Sequence, residues 1–167
     1  MTPTKVAILM GSDSDLPIMK EVAETLKAFD VPFYMTVLSA HRTPEATFEF
    51  AKTARNKGYG AIIAGAGGAA HLAGVLAGIT TLPVIGVPIK SKSLSGVDSL
   101  YSTVQMPPGV PVATVAIDGA QNAALLAVQI LATADNKLVQ KLTDYKKTLK
   151  EKVVKKARKV ESYTRCL

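Results

Sequence analysis

The sequence predicts an α/β protein: a flavodoxin-like three-layer α/β/α domain with a parallel sheet, continued by a long C-terminal helix. Three observations predict it. Five apolar runs of strand length recur along the chain, segments of helical periodicity separate them, and turn or cap signals precede the helical segments. At 167 residues and 48% hydrophobic content, the chain is long enough for one packed core and too short for two comfortable ones. The expected division is one domain over residues 1 to 135 and a basic amphipathic helix over 136 to 167.

Lys5 to Met10 is the first apolar run, and Asp13, Ser14 and Asp15 follow it as capping residues for a helix over Pro17 to Phe29. Phe33 to Leu38 is the second run. Thr43 and Pro44 then open a helix, with proline at a first-turn position where its missing N–H costs nothing. Ala61 to Ala64, Val84 to Val87 and Val112 to Ile117 complete the set. The stretch Ala61 to Ile79 is almost free of polar residues, but it is rich in glycine and alanine and interrupted by His71. It reads as a buried strand and helix, not a membrane span.

Short βα connections joined to unbroken apolar strands imply a parallel sheet covered on both faces, with right-handed crossovers. The strand order expected is 2-1-3-4-5, and ligands then bind at the carboxyl ends of the strands near the switch point. Four loops emerge there: Gly11 to Asp15, Ser39 to Pro44, Gly65 to His71, and Pro88 to Asp98. Both histidines of the chain lie in this set, and so does Arg42, one of four arginines.

In the last segment, Leu138, Leu142, Tyr145, Leu149, Val153 and Val160 form one stripe, with Ala157 filling the final step. A helix from about Asp135 to Glu161 would be ~40 Å long at ~1.5 Å per residue, rivalling the whole globule. Its stripe is expected to cover a neighbouring subunit, with a helix folded back on its own domain as the alternative. Ala70, Gly74 and Gly78, four apart, permit close helix packing, either on the sheet or on another subunit.

The net charge of +7 is a property of this tail. From Lys137 onward eleven Lys and Arg face three acids, leaving nine basic against ten acidic residues in the rest. No aromatic-rich basic motif accompanies the lysines, so a solvated helix face is expected and nucleic acid is not an expected partner. The first residues lack the charged start and long apolar core of a signal peptide. Cys166 is the single cysteine, so no intrachain disulfide can form, and a cytoplasmic location with no membrane partner is expected.

Ser12 ends the first strand, and free N–H groups at the start of the following helix can receive an anion. Asp13 and Asp15 would repel a phosphate placed directly over them. The phosphate is therefore expected between Ser12 and Arg42, whose guanidinium offers a bidentate fork. Asp15 is better used as an acceptor for sugar hydroxyls, with simple helix capping as its structural alternative. Imidazole can take or give a proton near neutral pH, which makes His41 the candidate for acid–base work. His71 opens a buried, alanine-rich helix, where it either serves the site or satisfies backbone groups. Gly65, Gly67 and Gly68 let backbone approach a flat ligand. No Rossmann fingerprint, P-loop or nucleophile elbow occurs in the chain.

Together, Gly11-Ser12-Asp13-Ser14-Asp15, Ser39-Ala40-His41-Arg42-Thr43-Pro44, Ala64 through Leu72, and Leu94-Ser95-Gly96-Val97-Asp98-Ser99-Leu100 through Val104-Gln105-Met106-Pro107 closely resemble the bacterial-type N5-carboxyaminoimidazole ribonucleotide mutases of purine biosynthesis. The resemblance runs from about Val6 to Ala132. It implies a flavodoxin-like catalytic domain with no metal and no cofactor, assembled as octamers with sites at subunit junctions. By motif, Ser12, Asp15 and Arg42 match the family's substrate-binding residues and His41 its acid–base histidine, while Ser39, Gly67, His71 and Leu72 match the pocket wall. Arg42 after His41 implies the mutase branch, since the CO2-using branch reads Ala-His-Lys there. The chain departs from the family pattern in two places: Ala73 replaces a proline, and Ile117-Asp118-Gly119-Ala120-Gln121-Asn122 is shorter than the usual glycine-rich segment. Both departures bear on loop shape and subunit packing.

Three alternatives stand beside this expectation. One is a carboxylase that takes CO2 directly onto aminoimidazole ribonucleotide, and another is a non-catalytic nucleotide-binding module, which would not need His41. The third is a metal triad of His41, His71 and Asp15.

Overall fold

In the computed structural model, residues 4 to 164 are described, so Cys166 and the first three residues lie outside the described residues. Five strands, β1 (Lys5–Met10), β2 (Phe33–Val37), β3 (Tyr59–Gly67), β4 (Val84–Ile89) and β5 (Ala113–Thr114), form one all-parallel sheet in the order β2-β1-β3-β4-β5. The intervening helices are α1 (Leu16–Ala28), α2 (Pro44–Ala54), α3 (Leu72–Ala77) and α4 (Val97–Val104), with α5 (Ala120–Ala132) after the last strand. This is the expected flavodoxin-like topology.

The central strands are buried on both faces, which is why their sequences are apolar without alternation. Val6, Ala7, Ile8 and Leu9 of β1, together with Ile62 and Ile63 of β3 and Ile85 of β4, have no exposed surface. Each large aliphatic side chain buried in this way contributes about 1.5–3 kcal/mol. Edge strand β2 carries partly exposed residues instead.

Two strands differ most from expectation, while β4 runs two residues further, to Ile89, and β2 stops one residue earlier, at Val37. β3 runs on to Gly67, pairing Gly65 with Met10 and Val87 and Gly67 with Ile89, so the glycine-rich loop starts three residues later than expected. Gly65 therefore serves packing: a Cβ there would collide with the Met19 sulfur and lie 3.0 Å from its Cγ. β5 is two residues long, because Pro111 lacks an N–H and the chain soon turns at Asp118 (φ 56°) and Gly119. Gly74 faces Met106, whose sulfur and methyl would lie 3.1 Å from a Cβ, so its close approach is made within the chain.

The described residues from 132 to 164 form a separate compact unit. Its helix, α6 (Asn136–Glu161), starts one residue after the expected position, capped by Asp135, which accepts the Lys137 N–H at 2.8 Å, and carries Arg158 and Lys159 in its last turn, where they complement the helix dipole. From residue 146 onward every described residue is exposed, including Val153 and Val160 of the apolar stripe. Among the described residues no helix is long and apolar enough to cross a membrane.

Candidate active site

The carboxyl ends of β1 to β4 open into a cleft of about 600 Å³. All eight candidate residues reach it: Ser12, Asp15, Ser39, His41, Arg42, Gly67, His71 and Leu72. Parallel strands bring them together, since every βα loop leaves the sheet on the same edge.

The loop after β1 is a 3-10 turn over Asp13–Asp15 closed by reciprocal capping. Ser12 Oγ accepts the Ser14 N–H at 3.4 Å, and Asp15 Oδ2 accepts the Ser12 N–H at 3.2 Å. Asp15 N–H donates to the Ser12 carbonyl. The turn thus occupies the N–H groups of Ser12, Ser14 and Asp15, three of those expected to receive an anion. Asp15 both caps and lines the cleft, and only 7% of its surface is exposed. Burial pushes its carboxyl above the usual range and the Asp13 charge adds to this, while the Ser12 N–H and the Ser14 hydroxyl pull it back.

After β2 the chain is stapled by Ser39 and Thr43. Ser39 N–H donates to Thr43 Oγ1 at 3.0 Å, and Thr43 returns both its hydroxyl and its N–H to the Ser39 carbonyl. Ser39 Oγ then accepts the Arg42 backbone N–H at 3.1 Å and Arg42 Nε at 3.4 Å. Arg42 Nη2 donates to the Gly11 carbonyl at 3.0 Å. The guanidinium is therefore held across two loops, with two of its donors committed to protein. A smaller cleft of about 250 Å³ lies between Ser12 and Arg42, where the phosphate was expected.

His41 and His71 meet. His41 Nε2 lies 2.8 Å from His71 Nδ1, and the rings are edge-on with centroids 4.9 Å apart. One ring must present a lone pair to the N–H of the other at this contact. His71 makes no side-chain cap to α3, so the alternative in which it satisfies backbone groups does not hold. Among the described residues no three His, Cys, Asp or Glu groups cluster as a metal site would require, so the His41, His71 and Asp15 triad is not assembled.

Gly68, with φ 64° and open space where a Cβ would stand, turns the chain out of β3. Its N–H donates to Ser99 Oγ at 2.9 Å, and that hydroxyl donates to the Ile89 carbonyl at 2.6 Å. Ser99 is fully buried and ties the ends of β3 and β4 to α4. Ile89, Lys90, Ser91 and Lys92 form a further wall, adding two cations to the charged lining of the cleft. Sequence reasoning missed Ser99, Lys90 and Lys92 as individual residues. The signal available was the Leu94 to Leu100 motif and the position of the lysines directly after a strand.

The AIR carboxylase family model matches residues 5–152. An N5-carboxyaminoimidazole ribonucleotide mutase of Pyrococcus horikoshii is 60% identical over 156 residues, covering 93% of this chain and 88% of that protein. The protein of the same name from Thermotoga maritima is 55% identical over 157 residues, covering 94% and 92%. The crystal structure of Treponema denticola PurE superposes with a TM-score of 0.84 at 31% identity, covering 91% of this chain and 95% of that one.

Proposed function

The chain belongs to the AIR carboxylase family, and from that premise we propose that it is an isomerase of purine biosynthesis, converting N5-carboxyaminoimidazole ribonucleotide to 4-carboxy-5-aminoimidazole ribonucleotide. The observation that carries the chemistry is the His41–His71 contact at a cleft also lined by Arg42 and Asp15.

Protonated His41 gives its proton to the carbamate nitrogen of the substrate, the C–N bond breaks, and CO2 leaves with the amine neutral. The cleft keeps both fragments together, replacing a bimolecular encounter by one with an effective molarity of ~10⁵ M or more. C4 of the electron-rich imidazole attacks CO2, and neutral His41 then removes the C4 proton. His41 begins and ends in the same state, so no external acid or base is consumed. The contact with His71 orients the imidazole. Arg42 and Ser12 bind the phosphate at the smaller cleft between them, and Asp15 accepts from the ribose, so binding energy remote from the reacting atoms serves positioning. Ser39, Gly67 and Leu72 complete the wall.

Residues 1 to 135 act as the catalytic domain, and α6 in the segment that follows packs on another copy of the chain. Two exposed apolar rows support a homo-oligomer: Leu149, Val153 and Val160 on α6, and Val97, Tyr101 and Val104 on α4 with Leu94 in the loop before it. An octamer in the cytoplasm, without nucleic-acid or membrane partners, completes this proposal. Light scattering on the full chain tests it, and a stable monomer would overturn it.

The function is tested by supplying N5-carboxylated substrate without ATP, in buffer rich in isotopically labelled bicarbonate. A mutase that retains its CO2 forms product carrying little label in the first turnovers. Heavy early labelling, or faster product formation from aminoimidazole ribonucleotide plus bicarbonate, assigns direct carboxylation instead.

A further inference from the structure

We propose that Asp118 is a positioning residue for the cleft: it fixes the segment from Lys90 to Lys92 as a preformed cationic wall and so sets the affinity for the anionic ribonucleotide. The inference rests on the function proposed above for the same site.

Lys90 is the first residue beyond β4, where the ladder to β5 has already ended at Thr114. Its N–H would have no strand partner there. It donates instead to Asp118 Oδ1 at 2.9 Å, and the Asp118 N–H donates to the Pro88 carbonyl at 2.8 Å. One residue thus engages both the Pro88 carbonyl and the Lys90 N–H, the groups flanking Ile89 that a further strand would pair, and takes the place of the missing strand. Asp118 has φ 56°, a left-handed conformation that aspartate and asparagine tolerate better than most residues.

The rest of the segment is closed on itself. Ser91 Oγ donates to Asp98 Oδ1 at 2.7 Å and accepts the N–H groups of Leu94 and Gly96. Gly96, at φ 94°, packs so closely that a Cβ would stand 2.7 Å from Ile117 Cγ2 and 3.2 Å from Lys90 Cα. The loop returns onto its own start and onto the residue preceding Asp118. Asp118 is therefore the tie at the end that carries the two lysines into the cleft. Without it, the Lys90 backbone must be ordered when ligand binds, and that cost reduces affinity without touching the reacting atoms.

The experiment is a substitution series in the full-length protein. Asp118→Gly keeps the left-handed backbone and loses the acceptor, whereas Asp118→Asn keeps both. Asp118→Gly should raise KM about 3- to 10-fold, the worth of one net hydrogen bond, with kcat within about twofold. Hydrogen exchange should quicken across residues 89 to 96. Asp118→Asn should restore both readouts to near wild type. In a Lys90→Met, Lys92→Met background, whose own KM is raised, Asp118→Gly should add no further KM effect, because the tie then positions no charge.

An unchanged KM in Asp118→Gly, failure of Asp118→Asn to rescue, or an undiminished effect in the lysine-less background would overturn the assignment. The dissociation constant of 4-carboxy-5-aminoimidazole ribonucleotide, measured on the same proteins by calorimetry, judges Asp118 independently of turnover. Absence of turnover in the wild type would thus remove the proposed reaction while this binding series still decides the role of Asp118.

Discussion

Replacing Ser99 by alanine removes a single hydroxyl from a position with no exposed surface. Two bonds go with it: the donation to the Ile89 carbonyl at 2.6 Å and the acceptance of the Gly68 N–H at 2.9 Å. The losses are unequal. Ile89 is 7% exposed, so its carbonyl is left with no ready access to water at a cost of about 1–3 kcal/mol. Gly68 is partly exposed, and water can replace the hydroxyl there for about 0.5 kcal/mol or less. The sum is ~1–3.5 kcal/mol, which for a chain of this size lowers Tm by about 2–14 °C. Because the chain contains no tryptophan, far-UV circular dichroism in urea is the suitable assay, at one fixed protein concentration so that association does not enter. The midpoint should fall with the slope unchanged. Since Ser99 also ties the glycine wall to the end of β4, KM should rise with it. A midpoint shift equivalent to less than about 0.5 kcal/mol would refute the claim that Ser99 bridges the two strands.

His41→Asn should keep product affinity within a few-fold and lower turnover by ~10² or more, the usual scale for a positioned acid–base group; near-normal turnover in steady-state assays removes His41 from the chemistry. Asp15→Asn should raise KM and change the pH dependence of stability in a defined direction. The folded-state pKa of Asp15 lies above its unfolded value because of burial, so the wild type loses stability as pH rises from about 4 through that raised value. The advantage of Asp15→Asn in urea midpoints should therefore be smallest below about pH 4 and grow upward, and the opposite trend contradicts the burial account. Gly65→Ala should destabilise by about 1–3 kcal/mol through its clash with Met19, and by less in a Met19→Ala background, whose own loss of the buried Met19 side chain is separate; a neutral Gly65→Ala in thermal melts would mean that Met19 has room to move.

Much of this protein is legible in the order of its residues. Unbroken apolar runs such as Lys5 to Met10 and Val84 to Val87 announce strands buried on both faces, and Thr43 with Pro44 announces a helix start, because these signals are carried by neighbouring residues. Once the strands are parallel, all βα loops share one edge, so chain order alone brings Ser12, His41, Arg42 and His71 to one site. The three-dimensional packing decided which atoms meet there. His41 touches His71 across 30 positions, Lys90 finds Asp118 across 28, and Ser99 closes on Gly68 across 31. Gly65, which reads as part of a ligand-facing glycine loop, proves to be a core residue, because the ladder to β4 extends past it and Met19 packs against its bare Cα. Local periodicity places a residue on a face or at an edge. Contacts between distant segments depend on where each strand stops pairing, on how each loop turns and on which side chain fills the space left, and these are properties of the whole packed domain.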